Sequence, residues 1–310
     1  MFNCWFRVFF RVKHYFLFLV ALPFWALDSF ARAEPVPALS HTIVGERFEY
    51  VVQPGDFLIG LAARFGESAR ILAQQNGKDY NAPLFPGQRL KIDNRHIVPA
   101  TTANGLLINL PQRMLFFFRD GVPAETFPAG LGMPGWPTPE GAFTVVQLRR
   151  NPAWYVPRSI QEEMRRKGET VLTKVPPGPD NPLGKYWIGL SIPGYGIHGT
   201  NAPSSVYHFQ SHGCIRLQPE NIEKLFPQIA LGDTGKIVYA PLLLALLNDG
   251  SIDLEVDRDI YGKGIDKLSL LKQLAEANRL TDRIDWKKAA LAIERQTGLA
   301  TRIDLRTITK

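Results

Sequence analysis

Cysteine is almost absent from this 310-residue sequence, which contains only Cys4 and Cys214. Cys4 lies in an apolar N-terminal segment, so an exported mature chain would keep Cys214 alone, with no partner for a disulfide. A disulfide framework is therefore excluded as a source of stability. A single cysteine in an exported protein is instead a candidate reactive thiol.

Long apolar runs and clusters of one charge are also lacking beyond residue 33. No later stretch approaches the roughly twenty apolar residues that cross a membrane, which predicts a soluble mature chain. The net charge is +7, or roughly +4 without the N-terminal segment. Because the basic residues are scattered, the pattern suits an anionic polymer as partner but not a nucleic acid.

The composition is that of an ordinary globular protein, with 45% hydrophobic residues, and the length predicts two or three domains. Residues 1–33 are typical of a secretory signal peptide. They combine a basic start, an apolar core of about thirteen residues and a small-residue cleavage site at Ala31-Arg32-Ala33. An uncleaved membrane anchor is the alternative, although the apolar core is short for a membrane span.

A proline-stiffened linker over residues 34–47 leads into a small module over residues 48–93. The module's sequence predicts a strand, two helices and a second strand. Apolar residues recur at helical spacing between Asp56, the predicted N-cap of the first helix, and Gly66, its predicted end. The sequence therefore predicts a compact βααβ unit.

Three segments of this module carry a resemblance: YVVQPGDFLIGLAARFG, ILAQQN and PGQRLKI. They resemble a LysM domain, a family whose members bind N-acetylglucosamine-containing glycans such as peptidoglycan. The sequence departs from the family at Phe57, where threonine or serine usually lies beside the sugar groove, and at Asp93, where a proline often follows the last strand. The alternative is a packing domain that keeps the fold without the binding.

Residues 104–240 predict a mainly β domain, because short apolar and alternating runs are separated by glycine and proline turns. A longer irregular stretch from residue 149 to 184 is predicted to form a lid or a binding wall. Residues 241–310 predict a β-hairpin followed by two helices. We expect this C-terminal extension to pack against the preceding domain or to extend it.

Reactive side chains concentrate in residues 197–217, IHGTNAPSSVYHFQSHGCIRL. A thiol near its ordinary pKa is mostly protonated at neutral pH, so a nucleophilic Cys214 needs an adjacent base. His212 would share a strand face with Cys214, whereas His198 would come from a neighbouring strand, and the sequence leaves both open as the base. Backbone N–H groups around Gly213 and Cys214 are candidate donors to an oxyanion.

Three other interpretations compete with a thiol nucleophile. In the first, Cys214 is simply a small buried apolar residue. In the second, His208 and His212 bind zinc with Cys214 and His198 as further ligands, but Gly213 and the predicted strand after it disrupt a helical histidine pair. In the third, His208 only holds the loop in place.

Four motifs stand out in this part of the sequence: TPEG at 138–141, PPGPDNPLG at 176–184, IHGT at 197–200 and SHGCIRL at 211–217. Together they resemble the YkuD-type L,D-transpeptidases, in particular the periplasmic branch of Gram-negative bacteria that carries a LysM module. The resemblance implies a mainly β, sandwich-like catalytic domain preceded by the βααβ LysM module and followed by a short α-helical extension. It also implies a periplasmic location.

The resemblance implies roles for individual residues at matching positions. Cys214 is then the nucleophile and His198 the proton donor and acceptor. Gly199 stands where some relatives have serine, so a backbone carbonyl must take the third role of a triad if that serine matters. The other implied roles are support by His212 and Ser211, an oxyanion donor at Gly213, and substrate contacts at Arg216, Gly199 and Thr200.

The implied reaction begins when Cys214 attacks the carbonyl of the third, diamino residue of a peptidoglycan tetrapeptide stem and releases D-alanine. An amine then resolves the thioester, either on another stem, which gives a 3-3 cross-link, or on a lipoprotein lysine. Water as acceptor would make the protein an L,D-carboxypeptidase or hydrolase. A buried, unreactive thiol would leave a non-catalytic peptidoglycan-binding protein. No metal or other cofactor is implied.

Overall fold

A computed structural model describes residues 39–99 and 102–305. The predicted signal peptide, with Cys4, and the first part of the predicted linker lie outside the described residues. Within the two described ranges, no helix is both long enough and apolar enough to cross a membrane.

The N-terminal module has the predicted order of strand, helix, helix and strand. Strands β2 and β3 pair antiparallel across the module, and β1 pairs with β4 beside it. Part of the segment predicted as a linker therefore forms a strand. The elements are β1 (Ile43–Val44), β2 (Arg47–Val51), α1 (Leu58–Phe65), α2 (Ala69–Gln75), β3 (Arg89–Asp93) and β4 (His96–Ile97).

Helix α1 forms because its apolar residues lie on one face. Leu58, Leu61 and Ala62 are buried in the module's core, where they meet Leu90 of β3. Gly66 ends the helix in the left-handed conformation, with φ at 77°, as the sequence predicts.

Asp56 does not cap this helix, contrary to the prediction. Phe57 occupies the N-cap position, with no side-chain hydrogen bond. The Asp56 carboxylate instead accepts hydrogen bonds from the Gln53 N–H at 2.7 Å and the Tyr50 hydroxyl at 2.8 Å. Asp56 lies one residue before the N-cap position, and its carboxylate closes the preceding turn instead. Short acidic side chains form such turn contacts as readily as helix caps.

The central domain is built on one sheet of eight strands, in the order β15-β13-β12-β9-β16-β5-β6-β7. Its sheet strands are β5 (Gly105–Asn109), β6 (Met114–Arg119), β7 (Val122–Pro128), β9 (Gly141–Arg150), β12 (Tyr186–Leu190), β13 (Gly196–His198), β15 (Ile215–Arg216) and β16 (Thr234–Val238). Outside the sheet lie β8 (Leu131–Gly132), β10 (Trp154–Tyr155), α3 (Arg158–Lys167), β11 (Lys174–Val175), β14 (Phe209–Ser211) and α4 (Pro219–Leu225).

This sheet carries the main hydrophobic core on one face. Alternate residues of its strands, such as Leu115 and Phe117 of β6, are buried against Ile222 and Leu225 of α4. The intervening Phe116 of β6 belongs to a second apolar cluster on the other face. The two short strands β13 and β15 form one edge of the sheet, where the core holds them in place.

The C-terminal extension forms a third unit with its own apolar core. The predicted hairpin and both helices are present, and Asp266 and Asp285 cap the helices by accepting two backbone N–H bonds each. The sequence did not indicate a third strand, because that strand is only two residues long. The elements are β17 (Leu242–Leu246), β18 (Ile252–Val256), α5 (Lys267–Ala277), α6 (Trp286–Arg295) and β19 (Thr301–Arg302).

A buried polar network joins the three units. The His96 ring, which follows the module, bonds through Nδ1 to Glu255 of the extension and through Nε2 to the Gly66 carbonyl, both at 2.8 Å. Gln112 of the central domain donates to the same carboxylate at 2.9 Å. His96 and Glu255 are fully buried, so this network fixes how the extension meets the other two units.

Candidate active site

The sheet edge brings together the residues that the sequence picked out. Strands β13 and β15 run parallel, with Ile197 opposite Ile215 and His198 opposite Arg216. Ile197 and Ile215 are fully buried in the main core. Because side chains alternate along a strand, His198 and Arg216 lie on the opposite face. The same alternation, extended one residue before β15, places Cys214 on that face, and the Arg216 charge acts on its thiol.

Cys214 is a free, half-buried thiol in the residue directly before β15. Its Sγ lies 3.8 Å from the Gly194 carbonyl oxygen, to which the S–H donates. Burial raises the pKa of the thiol, and a backbone hydrogen bond from Gly196 and the charge of Arg216 only partly oppose that effect. The resting form is therefore the thiol, and a base is needed to generate the nucleophile.

His198 is buried and held from two sides. Its Nδ1 bonds to the Gly199 carbonyl oxygen at 2.6 Å, and its ring stacks on Trp187 with centroids 5.8 Å apart. Burial, together with the Arg216 charge, lowers the pKa of His198 to about 3, although the Gly199 bond works in the other direction. The ring is neutral, with its proton on Nδ1 because that atom faces an acceptor, so Nε2 carries the lone pair.

Ser211 closes the turn before Cys214 by two hydrogen bonds. Its hydroxyl donates to the Cys214 carbonyl at 2.6 Å and accepts from the Gly213 N–H at 3.1 Å. Thr138 donates to the Gly213 carbonyl at 2.9 Å. The Gly213 N–H thus already has a hydrogen-bond partner within the turn, and its role as an oxyanion donor stays a prediction.

Gly213 is required for this turn for two reasons. Its φ is 101°, in the region that favours glycine. An added Cβ would also lie 2.5 Å from a ring carbon of Tyr195, closer than packed atoms approach. The aromatic ring therefore sits directly on the turn that presents the thiol.

His212 lies beside the thiol but faces a different partner. Its Nε2 is 2.6 Å from a carboxylate oxygen of Glu163 in helix α3, and its ring packs edge-on against Trp136 at 5.2 Å between centroids. Lys167 bonds to the other oxygen of Glu163 at 2.6 Å. The hydrogen bond from Lys167 and the weaker effect of that from His212 lower the pKa of Glu163 to about 2. Helix α3 of the irregular stretch is thereby tied to the turn before Cys214.

Two comparisons with known proteins bear on this geometry. The family model of the L,D-transpeptidase catalytic domain, YkuD, matches residues 103–238, and that of the LysM domain matches residues 50–93. The Escherichia coli K12 protein named probable L,D-transpeptidase ErfK/SrfK is 33% identical over 244 residues, covering 76% of this chain and 77% of the relative.

The chain belongs to the L,D-transpeptidase family.

The predicted combination of this enzyme class with an N-terminal LysM module is thereby confirmed. A second Escherichia coli K12 relative, named probable L,D-transpeptidase YcfS, is 31% identical over 264 residues, covering 83% of this chain and 82% of the relative. Among solved structures, L,D-transpeptidase 3 from Mycobacterium tuberculosis is 17% identical and aligns over 65% of this chain and 93% of its own, with a TM-score of 0.34. Peptidoglycan is the substrate class of this transpeptidase.

The predicted substrate residues of the transpeptidase fall in two places. Arg216 is half-buried on the thiol's face, and its Nε is buried without a partner in the described residues. Gly199 and Thr200 line a cleft of about 420 Å³ between the 178–185 loop and α4, and Cys214 is not part of its wall. The Thr200 hydroxyl is occupied, since it accepts the Ala202 N–H at 3.0 Å.

Within residues 39–99 and 102–305, no hydrogen bond joins the His208 side chain to Cys214 of the transpeptidase. His208 is half-buried, and its backbone carbonyl accepts the Leu131 N–H at 2.8 Å. Burial and the nearby Arg113 lower the pKa of its ring. Over residues 39–99 and 102–305, no group of three or more His, Cys, Asp or Glu side chains is arranged to hold a metal ion.

Several residues around the transpeptidase site were not indicated by the sequence. Glu163 lies 49 positions from His212, and nothing in the local pattern links the two. The sequence pointed to Trp187 only indirectly. A strand that pairs antiparallel with the IHGT strand must place one residue opposite His198, and that residue is Trp187. Nothing in the sequence indicated a role for Tyr195 except that it directly precedes the IHGT strand.

Proposed function

We propose that this L,D-transpeptidase acts through a cysteine acyl-enzyme, with Cys214 as nucleophile and His198 as proton acceptor and donor. The observation that carries the proposal is the bond from His198 Nδ1 to the Gly199 carbonyl. It leaves Nε2 as the basic nitrogen of a ring that shares a face with the thiol. The carbonyl then takes the place of the third triad member.

In the first half-reaction, His198 Nε2 accepts the thiol proton and the sulfur attacks the carbonyl of the third, diamino residue of a tetrapeptide stem. The C–N bond to D-alanine breaks, and the imidazolium returns its proton to the leaving amine. A thioester to Cys214 remains. No hydrogen bond joins His198 to Cys214 in the described residues, so we expect the proton transfer to be completed only when substrate aligns the two groups.

Charge on the tetrahedral intermediate needs a donor that is not already in use. We assign this role to the Cys214 N–H rather than to the Gly213 N–H, which bonds to Ser211. One oxyanion-hole donor contributes about 2.7–4 kcal/mol to transition-state binding in other enzymes. Ser211 and Gly213 act by holding the turn in which this N–H is presented.

Arg216 is suited to a substrate carboxylate. It lies opposite His198 on the thiol's face, and its Nε is a buried donor without a partner in the described residues. A guanidinium forms paired hydrogen bonds with a carboxylate. A stem peptide bound in this way would place its diamino residue against Cys214.

The second half-reaction transfers the acyl group from sulfur to an amine. His198 removes a proton from the incoming amine, the amine nitrogen attacks the thioester carbonyl, and the thiol is released. The acceptor is the free amine of another stem, which gives a 3-3 cross-link, or a lipoprotein lysine. Both acceptors use the same chemistry at this site.

The LysM module supplies the glycan contact in this proposal. Phe57, Tyr80 and Phe85 expose 52%, 43% and 60% of their surface, which is unusual for large rings. Aromatic faces suit the apolar faces of sugars. The Phe57 ring lies over Gly60, where an added Cβ would be 2.9 Å from it, so this ring takes the place of the usual hydroxyl.

We further propose export to the periplasm by a cleaved signal peptide over residues 1–33. The same proposal divides the chain into a linker over 34–47, the module over 48–93, the catalytic domain over 104–240 and the extension over 241–310. A lone thiol that serves as nucleophile is consistent with that compartment, since it has no partner for disulfide formation.

Incubation of the purified protein with a disaccharide-tetrapeptide tests the proposed reaction. We expect release of D-alanine and a cross-linked dimer, both lost in Cys214→Ala and retained in Ser204→Ala, a control outside the turn. Tripeptide without dimer would point to the hydrolase. If the thiol reacts in a titration but no D-alanine is released, the tetrapeptide is not the donor. If the thiol is unreactive as well, the protein is a binding protein.

A further inference from the structure

A second cleft, of about 400 Å³, lies where the three units of the chain meet. The module contributes residues in and next to helix α2, among them Arg70. The central domain contributes Arg113 and Phe209, and the extension contributes residues around Asp257 and Arg295. Cys214 and the predicted sugar groove around Phe57 are not part of its wall.

The wall of this cleft is strongly positive. Four arginines line it, Arg70, Arg113, Arg258 and Arg295, against a single acid, Asp257. Arg70, Arg258 and Arg295 are exposed, and their side chains form no hydrogen bond or ion pair within residues 39–99 and 102–305. Like charges in a concave site raise the local concentration of anions.

Arg113 forms the inner end of the cleft. Its guanidinium stacks on the Tyr207 ring at 3.9 Å, donates to the Tyr207 carbonyl at 3.3 Å, and lies 4.0 Å from an Asp257 oxygen. In the described part of the chain, Arg113 Nε and Asp257 Oδ2 are buried without hydrogen-bond partners. Unsatisfied buried polar atoms are costly, so both would gain from a polar ligand.

Asp257 cancels the arginine charge only in part. Burial and the nearby Glu255 charge raise the pKa of its carboxyl to about 7. A substantial fraction of this group is therefore neutral at neutral pH, where it is able to donate a hydrogen bond to an anion rather than repel it.

We propose that this cleft binds the carboxylates of a peptidoglycan stem peptide at a site separate from the active site. Four separate guanidiniums suit a ligand that carries several carboxylates along a chain better than one compact anion. The inference rests on the proposed function, since it takes the substrate's own peptide as the ligand.

The position of the cleft suits that ligand. Phe209 begins β14, which leads through Ser211 to the turn before Cys214. Phe209 and Cys214 are five positions apart in the sequence, so their Cα atoms lie at most about 18 Å apart. A stem peptide bound in the cleft would keep its glycan strand next to the thiol, while a stem peptide of another glycan strand occupies the active site.

Co-sedimentation with purified peptidoglycan sacculi tests this assignment, using full-length exported protein that carries Cys214→Ala to prevent turnover. The test variant adds Arg258→Gln and Arg295→Gln. The control adds Lys272→Gln and Lys287→Gln, which remove the same charge from exposed positions on α5 and α6 of the same extension. Each protein is measured on intact sacculi and on sacculi stripped of stem peptides by an amidase.

We expect the arginine variant to bind intact sacculi about 3- to 20-fold more weakly than the control, as the loss of two exposed ion pairs predicts. On stripped sacculi the two should bind equally. Equal binding to intact sacculi would overturn the inference. A deficit that persists on stripped sacculi would also overturn it, because the ligand would then be an anion other than the stem.

The proposed function is tested separately. Both charge variants, with Cys214 restored, should release D-alanine from a soluble disaccharide-tetrapeptide at the wild-type rate. Loss of release in all proteins would contradict the proposed chemistry, whereas loss in the arginine variant alone would contradict a site separate from the catalytic one.

Discussion

The Nδ1 atom of His198 and the carbonyl oxygen of Gly199 are joined by a hydrogen bond of 2.6 Å. A backbone carbonyl orients the histidine, so the side chain at position 199 is not needed for that purpose. Gly199→Ala should therefore retain D-alanine release within about threefold, whereas His198→Gln should lose about 10²- to 10⁴-fold. The added methyl would lie 3.2 Å from Ile222 and requires only a small shift. A loss in folded Gly199→Ala as large as that in His198→Gln would contradict the carbonyl role.

The surroundings of Cys214 and His198 predict an unusual pH profile. Burial raises the pKa of the thiol and, with Arg216, lowers that of the histidine to about 3. His198 therefore stays neutral from weakly acid to alkaline pH. The rate of Cys214 alkylation by iodoacetamide should rise through one ionisation above about pH 8.5. An inflection near pH 6–7, or a rate already maximal at neutral pH, would indicate a resting thiolate-imidazolium pair.

Glu163 links helix α3 to the turn before Cys214 through His212. The helix buries none of its side chains, so this contact and few others hold it in place. Glu163→Gln should raise KM about 3- to 10-fold with little change in kcat, because α3 is then held less firmly beside the turn before Cys214. Proteolytic cleavage within residues 156–184 should also become faster. Glu162→Gln, an exposed neighbour, is the matched control, and equal behaviour of the two variants would exclude the link.

His96 and Glu255 predict a pH-dependent contribution to stability. Both ring nitrogens face acceptors. Burial lowers the pKa of His96, but the Glu255 charge and these hydrogen bonds outweigh it, so the pKa is raised. A raised pKa stabilises the fold below the unfolded value, about 6.5, and the contribution is lost as pH rises through the folded value.

We therefore expect His96→Gln to lower the free energy of unfolding by about 3–5 kcal/mol near pH 6, because it leaves Glu255 buried without its cation. The deficit should shrink at alkaline pH, which urea denaturation at several pH values measures. His41→Gln serves as the control, since His41 lies at the exposed surface. A deficit that grows with pH would contradict a protonated His96.

Much of the fold could be predicted because its signals are local. The apolar spacing before Gly66 defines helix α1, and the paired apolar runs after Pro241 define the terminal hairpin. Asp56 was the exception, since a short acidic side chain serves a turn as readily as a helix cap. The choice between the two depended on Tyr50, whose hydroxyl approaches only in the folded module.

The part of the site that could be predicted consists of residues that are close together in the sequence. The IHGT and SHGC motifs indicated Cys214 and His198, but the sequence could not distinguish His198 from His212 as the base. That difference depends on distant residues, since Glu163 faces His212 and Trp187 stacks on His198. The bond from the Gly213 N–H to Ser211 was equally invisible, because it depends on the shape of the turn.

The central claim is that Cys214 carries the acyl group, and intact mass measurement after brief incubation with a disaccharide-tetrapeptide tests it most directly. We predict a protein species heavier by the disaccharide-tripeptide acyl group, located on Cys214 by peptide mapping and released by hydroxylamine. The species should be absent from Cys214→Ala and should decay faster when an amine acceptor is added. An adduct on another residue, or D-alanine release by Cys214→Ala, would contradict the account.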